Sequence, residues 1–137
     1  MSLPVILNFG FKIDEEKLWQ ITDIPVEEIL LTDLDHNLDI PFLEHEGTDD
    51  WNLSPRMLLA NFDQEKPHAD TVERASLDFP IELYFHQGQW IILDGVHRFV
   101  KAHREGQKTI KVRRISDQII KQVRRTEPKG DYWDKFI

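Results

Sequence analysis

A strand, a glycine turn, a helix and a second strand follow one another within 25 residues, and this unit constrains the fold more than any other part of the chain. Residues 90–93 form a short apolar run, which is typical of a buried strand. Gly95 stands where the apolar period changes from two to about 3.6 residues, and residues 96–105 carry apolar side chains at helical spacing. Gly106 predicts the end of that helix, and residues 109–115 resemble a strand. We therefore predict an α+β fold, with a mixed sheet and short helices in a single small domain.

Capping residues and turn signals predict the remaining elements. Residues 8–22 have no clean period and are predicted as a loop with no more than one helical turn. The acidic stretch 32–50 is predicted as an irregular loop or surface insertion, because the positional pattern of a calcium loop is absent. Residues 126–137 are predicted as a loosely held tail. The other predicted elements are strands at 24–31, near a sheet edge, and 80–85, a hairpin turn at 87–88, and helices at 55–60, 67–77 and 117–125.

Composition narrows the class of protein further. The 137 residues and 40% hydrophobic content suit one domain over 1–137 with a packed core. Cysteine is absent, which excludes disulfide scaffolds, thiol nucleophiles and sulfur-ligated metal clusters. The first residues carry no basic segment, and no apolar run approaches the roughly 20 residues of a membrane span. We expect a cytoplasmic protein that does not bind a membrane.

Charge is distributed unevenly along the chain. The formal net charge of −8 opposes binding to nucleic acid, but residues 97–125 hold ten Lys and Arg against two Asp and Glu. A basic face for nucleic acid is one interpretation of this segment, and an electrostatic match with the acidic first half, within one chain or between chains, is a second. The predicted basic face consists of Arg104, Lys108, Lys111, Arg113, Arg114, Lys121, Arg124 and Arg125.

The turn from strand to helix has the outline of an anion site. Gly95 lets the backbone approach a ligand closely, and the unpaired N–H groups of the following helix face that ligand at the positive end of the helix dipole. Arg98 can bind phosphate or carboxylate with two N–H groups, and His97 can donate when protonated or exchange a proton near neutral pH. Asp94 can hold Mg²⁺ or position a hydroxyl, which makes Asp94 and His97 the candidate catalytic residues. The alternative is structural: a common Asp-Gly turn, a packed His97 and an Arg98 paired with an acidic side chain.

The same residues resemble a known family. The run Gly95-Val-His97-Arg98-Phe-Val-Lys-Ala102-His-Arg-Glu-Gly106, followed by Lys-Thr-Ile-Lys-Val-Arg, is similar in spacing to the signature of the ParB N-terminal domain and sulfiredoxin superfamily. The strong match covers 80–115, about a quarter of the chain, and residues 24–29 fit the first strand of that family. The resemblance identifies a stand-alone ParB-like domain with a ParB/sulfiredoxin-like fold.

The resemblance implies a nucleotide-binding loop. ParB proteins bind CTP at this loop, sulfiredoxins bind ATP, and archaeal free-serine kinases with an Asp-Gly-His-His-Arg version phosphorylate serine. Carried onto this chain, Gly95, Val96, His97 and Arg98 would bind the phosphates of a nucleoside triphosphate with Mg²⁺ at Asp94. The preceding helix of the family supplies further polar side chains to the nucleotide, and the matching positions here are His68, Thr71 and Arg74.

Two activities of the superfamily are not expected. A sulfiredoxin needs a cysteine directly before the His-Arg pair, where this chain has Val96. A complete partition protein needs further domains, and 22 residues follow Ile115. Three hypotheses remain: a nucleotide-binding domain acting as an ATPase or small-molecule kinase, a non-catalytic module that binds a protein partner or itself, and, less favoured, nucleic-acid binding through 97–125. An Arg98 paired internally beside an unfilled cleft would favour the module.

Overall fold

The computed structural model describes residues 3–48 and 50–125, which form a four-stranded mixed sheet with short helices. The predicted α+β class is thereby confirmed. The strands are β1 (Glu27–Leu30), β2 (Ile81–His86), β3 (Gln89–Asp94) and β4 (Thr109–Ile115), and the α-helices are α1 (Glu15–Gln20), α2 (Pro55–Ala60), α3 (Lys66–Arg74), α4 (Val96–Arg104) and α5 (Asp117–Val123).

The sheet has the order β1-β4-β2-β3. Strand β4 runs antiparallel to β1 and parallel to β2, whereas β2 and β3 form an antiparallel hairpin. The hairpin turn places Gln87 at φ +52° and Gly88 at φ +81°, as a two-residue turn with the twist of its strands requires. Because β4 is parallel to β2, the chain crosses over through α4, and within the predicted unit of strand, helix and strand β3 lies at a sheet edge and β4 in the interior of the sheet.

Helices cover both faces of the sheet. On one face Ile81, Leu83 and Val112 pack against Phe99 and Ala102 of α4. On the other face Ile115 packs with Leu18 of α1 and with Ile120 and Val123 of α5. Helices α2 and α3 pack on the outer side of α4, through Leu58, Val72 and Val100. Polar side chains of the central strands therefore lie between the sheet and a layer of helices, where a buried polar group needs a hydrogen-bond partner.

The prediction of an irregular surface insertion over 32–50 is wrong for its first part. Leu31–Asp39 forms a 3₁₀-helix whose Leu31, Leu34 and Leu38 belong to the main core. Asn37 is fully buried: its Oδ1 accepts from the backbone N–H of Ile92 at 3.1 Å, and its Nδ2 donates to the carbonyls of Leu34 and Trp90. The polar composition indicated a loop, whereas the 3₁₀-helix exposes its acidic side chains and buries the leucines between them.

The other element predictions differ mainly at their ends. Residues 109–115 form β4 as predicted, whereas β1 begins three residues later than expected and lies at a sheet edge. The predicted turn within 8–22 is a helix of six residues, α1. Ser54 and Ser116 cap α2 and α5 through their side chains, although α5 ends at Val123. The tail predicted over 126–137 lies outside the described residues.

Among the residues that the structure describes, no helix is long and apolar enough to cross a membrane.

Candidate functional site

A cavity of about 460 Å³ opens at the start of α4. Its walls come from the end of β3, the first turn of α4 and the end of α3, because α3 packs against α4. The residues predicted for the nucleotide site line this cavity, with the exception of His68, and they come from two segments, 71–74 and 94–98. Those lining the cavity are Thr71, Arg74, Asp94, Gly95, Val96, His97 and Arg98, together with Leu43, Ala75 and Leu93.

Gly95 sets the geometry of the turn. It lies at φ +104°, in the left-handed region, and its carbonyl accepts from the N–H of Phe99 at 3.0 Å, which begins α4. The N–H groups of the first turn of a helix have no partner within the helix, and no side chain of the described residues caps α4. These N–H groups lie beside the cavity that Val96, His97 and Arg98 line. Backbone donors of this kind favour an anion.

Arg98 and Asp94 form a network at the wall of the cavity. The guanidinium of Arg98 donates through Nη1 to the carbonyl of Pro80 and through Nη2 to Asp94 Oδ2 at 3.3 Å. The indole Nε1 of Trp19 donates to the same Oδ2 at 2.9 Å. Asp94 Oδ1 receives no hydrogen bond from the described residues, so one carboxylate oxygen remains for a ligand.

Trp19 is the site residue that sequence reasoning missed. It is 54% exposed and donates to Asp94 through its indole N–H. The two residues lie 75 positions apart, and no local pattern connects them. The sequence shows only a tryptophan, whose indole N–H can donate a hydrogen bond, within an acidic helix. This combination is too common to identify the acceptor.

The two histidines of the site form a relay that defines their tautomers. His68 Nε2 lies 2.7 Å from the backbone carbonyl of Glu44, which only accepts, so this nitrogen carries the proton. When His68 is neutral, its Nδ1 is therefore an acceptor, and His97 Nε2, 3.0 Å away, donates to it. A neutral His97 then keeps a lone pair on Nδ1. His97 is accordingly suited to accept a proton or polarise a hydroxyl, and not to donate its Nε2–H to phosphate.

The pKa of His97 fits this assignment. Burial and, to a lesser extent, the nearby His68 lower this pKa from 6.5 to about 4, against an opposing effect of Asp94. His97 is therefore neutral at pH 7 and does not add positive charge to the cavity.

We expect the stability of the protein to fall as the pH drops from 6.5 to about 4. In this range the unfolded state binds a proton at residue 97 that the folded state does not bind, so each fall in pH favours unfolding. Because the ring is partly exposed, we expect a contribution on the order of 1–2 kcal/mol. Urea unfolding at a series of pH values measures it.

The control for that measurement is His97→Gln, whose amide can still donate to His68. Burial also lowers the pKa of His103, so the wild type keeps some dependence on pH from that residue. The difference between wild type and variant isolates residue 97. If the free energy of unfolding depends on pH in the same way in wild type and His97→Gln, the pKa of His97 is not lowered by folding.

Thr71 and Arg74 bring two more polar groups to the cavity. Thr71 Oγ1 donates to the carbonyl of Pro67 at 3.0 Å, and its oxygen can still accept. Arg74 is exposed at the end of α3 and has no ion pair or hydrogen bond with the described residues. Lys101 Nζ donates to the carbonyls of Glu73 and Ala75 and so holds the end of α3 against α4. Arg74 is thus the unpaired cation of the cavity.

A resident metal site is absent from 3–48 and 50–125, where no three His, Cys, Asp or Glu side chains come together. Mg²⁺ that arrives with a nucleotide needs only one or two carboxylates besides the phosphates. Asp94 Oδ1 fits that requirement, because its second oxygen Oδ2 is already held by Trp19 and Arg98.

The basic segment does not form one continuous face. Arg113, predicted on that face, is 6% exposed and pairs inside the sheet with Glu82, so this part of the prediction is wrong. Arg114 pairs with Glu27 at 2.9 Å, and the Arg104 guanidinium lies 3.6 Å from the centre of the Phe62 ring. Charges used in this way are not free for phosphates, which weakens the nucleic-acid hypothesis.

Comparison with known proteins places few constraints on the chain. No protein family model matches it, and no curated protein matches it. A solved structure of sulfiredoxin from Arabidopsis thaliana is similar with a TM-score of 0.36 and 17% sequence identity, over 67% of this chain and 85% of that chain. Membership of the ParB and sulfiredoxin superfamily stays a prediction from the sequence.

Proposed function

We propose that the cavity at the start of α4 binds the phosphates of a nucleoside triphosphate with its Mg²⁺. The observation that carries this proposal is the meeting of an uncapped helix start with Arg74, Arg98 and Thr71 around one cavity. The backbone N–H groups at 96–98 supply donors fixed in place, Arg74 supplies an unpaired positive charge, and Arg98, which is paired with Asp94, supplies further N–H donors. The volume of about 460 Å³ lies in the range of small-molecule sites.

The residues beside the phosphates suit hydrolysis or phosphoryl transfer. Phosphoryl transfer requires charge neutralisation and a group that orients the attacking hydroxyl or water. Asp94 Oδ1 would contact Mg²⁺ or that hydroxyl, and His97 Nδ1 would accept its proton. The proposed activity is accordingly that of an ATPase or a small-molecule kinase.

The second candidate function is a non-catalytic module that binds a protein partner. The observation in its favour is that Arg98 already donates to Pro80 and Asp94, which is the internal pairing that this hypothesis anticipated. An arginine has five N–H donors, however, and the two contacts to described residues leave others for phosphate. The nucleotide proposal is therefore the better supported.

A thermal-shift screen tests the proposal directly. ATP, ADP, CTP and GTP are compared with and without Mg²⁺, and a nucleotide at 100 times its dissociation constant is expected to stabilise the fold by about 2.7 kcal/mol. No shift with any of them would move the assignment to the protein-binding module. A positive nucleotide is then assayed for hydrolysis and for transfer to small hydroxyl compounds.

Arg98→Ala is expected to weaken nucleotide binding by about thirtyfold, which corresponds to a charge-assisted contact of on the order of 2 kcal/mol. Arg74→Ala, at an exposed residue that no described side chain needs, is expected to weaken it by about fivefold without a change in stability. Titration calorimetry measures both.

Arg104→Ala is the matched control, because Arg104 contacts Phe62 and does not line the cavity. Wild-type affinity is expected for this variant. If both Arg74→Ala and Arg98→Ala bind nucleotide with unchanged affinity, this cavity is not the nucleotide site, even if the protein binds nucleotide elsewhere.

A further inference from the structure

A second cavity, of about 560 Å³, lies on the other side of Arg98. We call it the apolar groove. Arg98 and Ala75 line both cavities, so the groove and the nucleotide cavity share a wall. The apolar groove is lined mainly by Trp19, Ile24, Val26, Phe79, Pro80 and Arg98.

The rim of the apolar groove is unusually exposed for such side chains. Phe79 is 66% exposed, Val26 55% and Trp19 54%. A contiguous exposed apolar surface around a concavity costs solvation free energy and marks a ligand site more often than a single exposed residue does. The volume is that of a pocket for a molecule of drug size or smaller.

The charged groups of the apolar groove are neutralised by one another. At its base Glu82 accepts from Arg113 Nε at 2.8 Å and from Nη2 at 3.3 Å. Arg113 also donates to the carbonyls of Leu18 and Ile21, so each of its three nitrogens makes a hydrogen bond. In the shared wall Arg98 is paired with Asp94. A charged ligand would therefore meet no unpaired opposite charge and would lose its hydration without compensation.

Arg98 still offers hydrogen-bond donors at the groove. Only two N–H groups of the Arg98 guanidinium contact described residues, so the others can still donate. A ligand oxygen that accepts, such as that of a hydroxyl or carbonyl group, satisfies them.

We propose that the apolar groove binds a small uncharged molecule that has a ring-sized apolar body and one oxygen accepting from Arg98. Its apolar body packs between Trp19 and Phe79, and its oxygen lies at the wall shared with the nucleotide cavity. This site is separate from the nucleotide site and does not require that a nucleotide binds.

The indole N–H of Trp19 provides the readout. It donates to Asp94 in the shared wall, while Trp19 itself lines the groove. A ligand that packs against Trp19 changes the chemical environment of this proton, so its ¹H–¹⁵N cross-peak reports occupancy. The variant Trp19→Phe identifies the peak, and the Trp90 indole, which is not part of the groove, serves as an internal reference.

The protein of 137 residues is titrated with 2-naphthol and, separately, with 2-naphthoate. Both probes have the same ring system, but only the second carries a charge at pH 7. We expect saturable shifts of the Trp19 indole with 2-naphthol and an affinity for 2-naphthoate that is weaker by about tenfold or more. Equal or tighter binding of 2-naphthoate would overturn the assignment to an uncharged ligand, and the absence of a saturable shift with either probe would overturn the site.

Two exposed phenylalanines make matched variants. Phe79→Ala removes part of the groove, whereas Phe85→Ala truncates a ring that is 54% exposed on β2, away from the groove. We expect about tenfold weaker binding of 2-naphthol in the first and wild-type binding in the second. Equal losses in both variants would mean nonspecific adsorption and overturn the proposal.

Two further measurements exclude other occupants. Sedimentation of wild type and Phe79→Ala is expected to give the same mass; a dimer that Phe79→Ala dissociates would assign the groove to a second copy of the chain and overturn the proposal.

Titration in saturating Mg-ATP is expected to leave 2-naphthol binding intact, and competitive displacement would make the groove part of the nucleotide site. If no nucleotide binds and 2-naphthol does, the proposed function fails while this site stands.

Discussion

Arg113→Met is expected to destabilise the folded protein by about 3–5 kcal/mol, the cost of removing one partner from a buried ion pair. Arg113 is 6% exposed and Glu82 2% exposed, and both oxygens of Glu82 accept from this guanidinium. The variant would also remove the Arg113 donor from the carbonyl of Ile21 and one of the two donors from the carbonyl of Leu18, which keeps the backbone N–H of Ile21. Because a small domain is stable by about 5–15 kcal/mol, this single change removes a large share of the total. Urea unfolding followed by circular dichroism measures it.

The neighbouring residue supplies the control. Arg114→Met alters a partly exposed pair with Glu27 and is expected to cost about 1 kcal/mol or less. The double variant Arg113→Met with Glu82→Gln removes both buried charges and is expected to recover part of the loss. Similar losses for Arg113→Met and Arg114→Met would contradict the burial of Arg113.

The loss of folding stability in Arg113→Met should also depend on pH. Burial raises the pKa of Glu82 above 4.5, and Arg113 opposes that rise, so the variant raises it further. The folded variant then holds a proton at Glu82 that the unfolded chain releases, and its stability falls as the pH rises from 4.5 through the folded pKa. The difference from wild type should accordingly be greater at pH 8 than at pH 5.

Gly95→Ala is expected to destabilise the fold by about 3 kcal/mol. Two costs add: a residue with a Cβ is strained at φ +104°, and the added Cβ would lie 2.7 Å from Ile81 Cγ2 and 3.2 Å from Ile81 Cα. Ile81 is buried in β2 at the centre of the core, so it has little room to move. Thermal unfolding by calorimetry checks the value.

Gly106→Ala separates these two costs. Gly106 also has a positive φ, of +68°, but an added Cβ there would meet nothing within 4 Å. Its replacement is expected to cost about 1 kcal/mol from the backbone alone. A loss in Gly95→Ala no greater than in Gly106→Ala would show that the turn can move away from Ile81.

Local signals predicted the backbone around the site closely. The apolar period identified α4 and β4, and α4 ends just before Gly106, as predicted. These signals act over a few residues, because φ/ψ preferences and side-chain spacing are local properties. The same reasoning failed over 31–39, where acids at the surface concealed leucines in the core.

The sequence by itself determined the order of the elements, the glycine turn at the start of α4 and most of the residues that line the cavity beside it. Only the tertiary structure decided what each polar side chain contacts. Arg113 and Arg114 are adjacent in one strand, yet Arg113 is buried beside Glu82 and the carbonyls of Leu18 and Ile21, whereas Arg114 is partly exposed beside Glu27 of the edge strand β1. Likewise His97 met His68, and Asp94 met Trp19, through packing of segments 29 and 75 residues apart. Local preferences set the backbone, whereas the pairing of donors and acceptors depends on how all segments pack together.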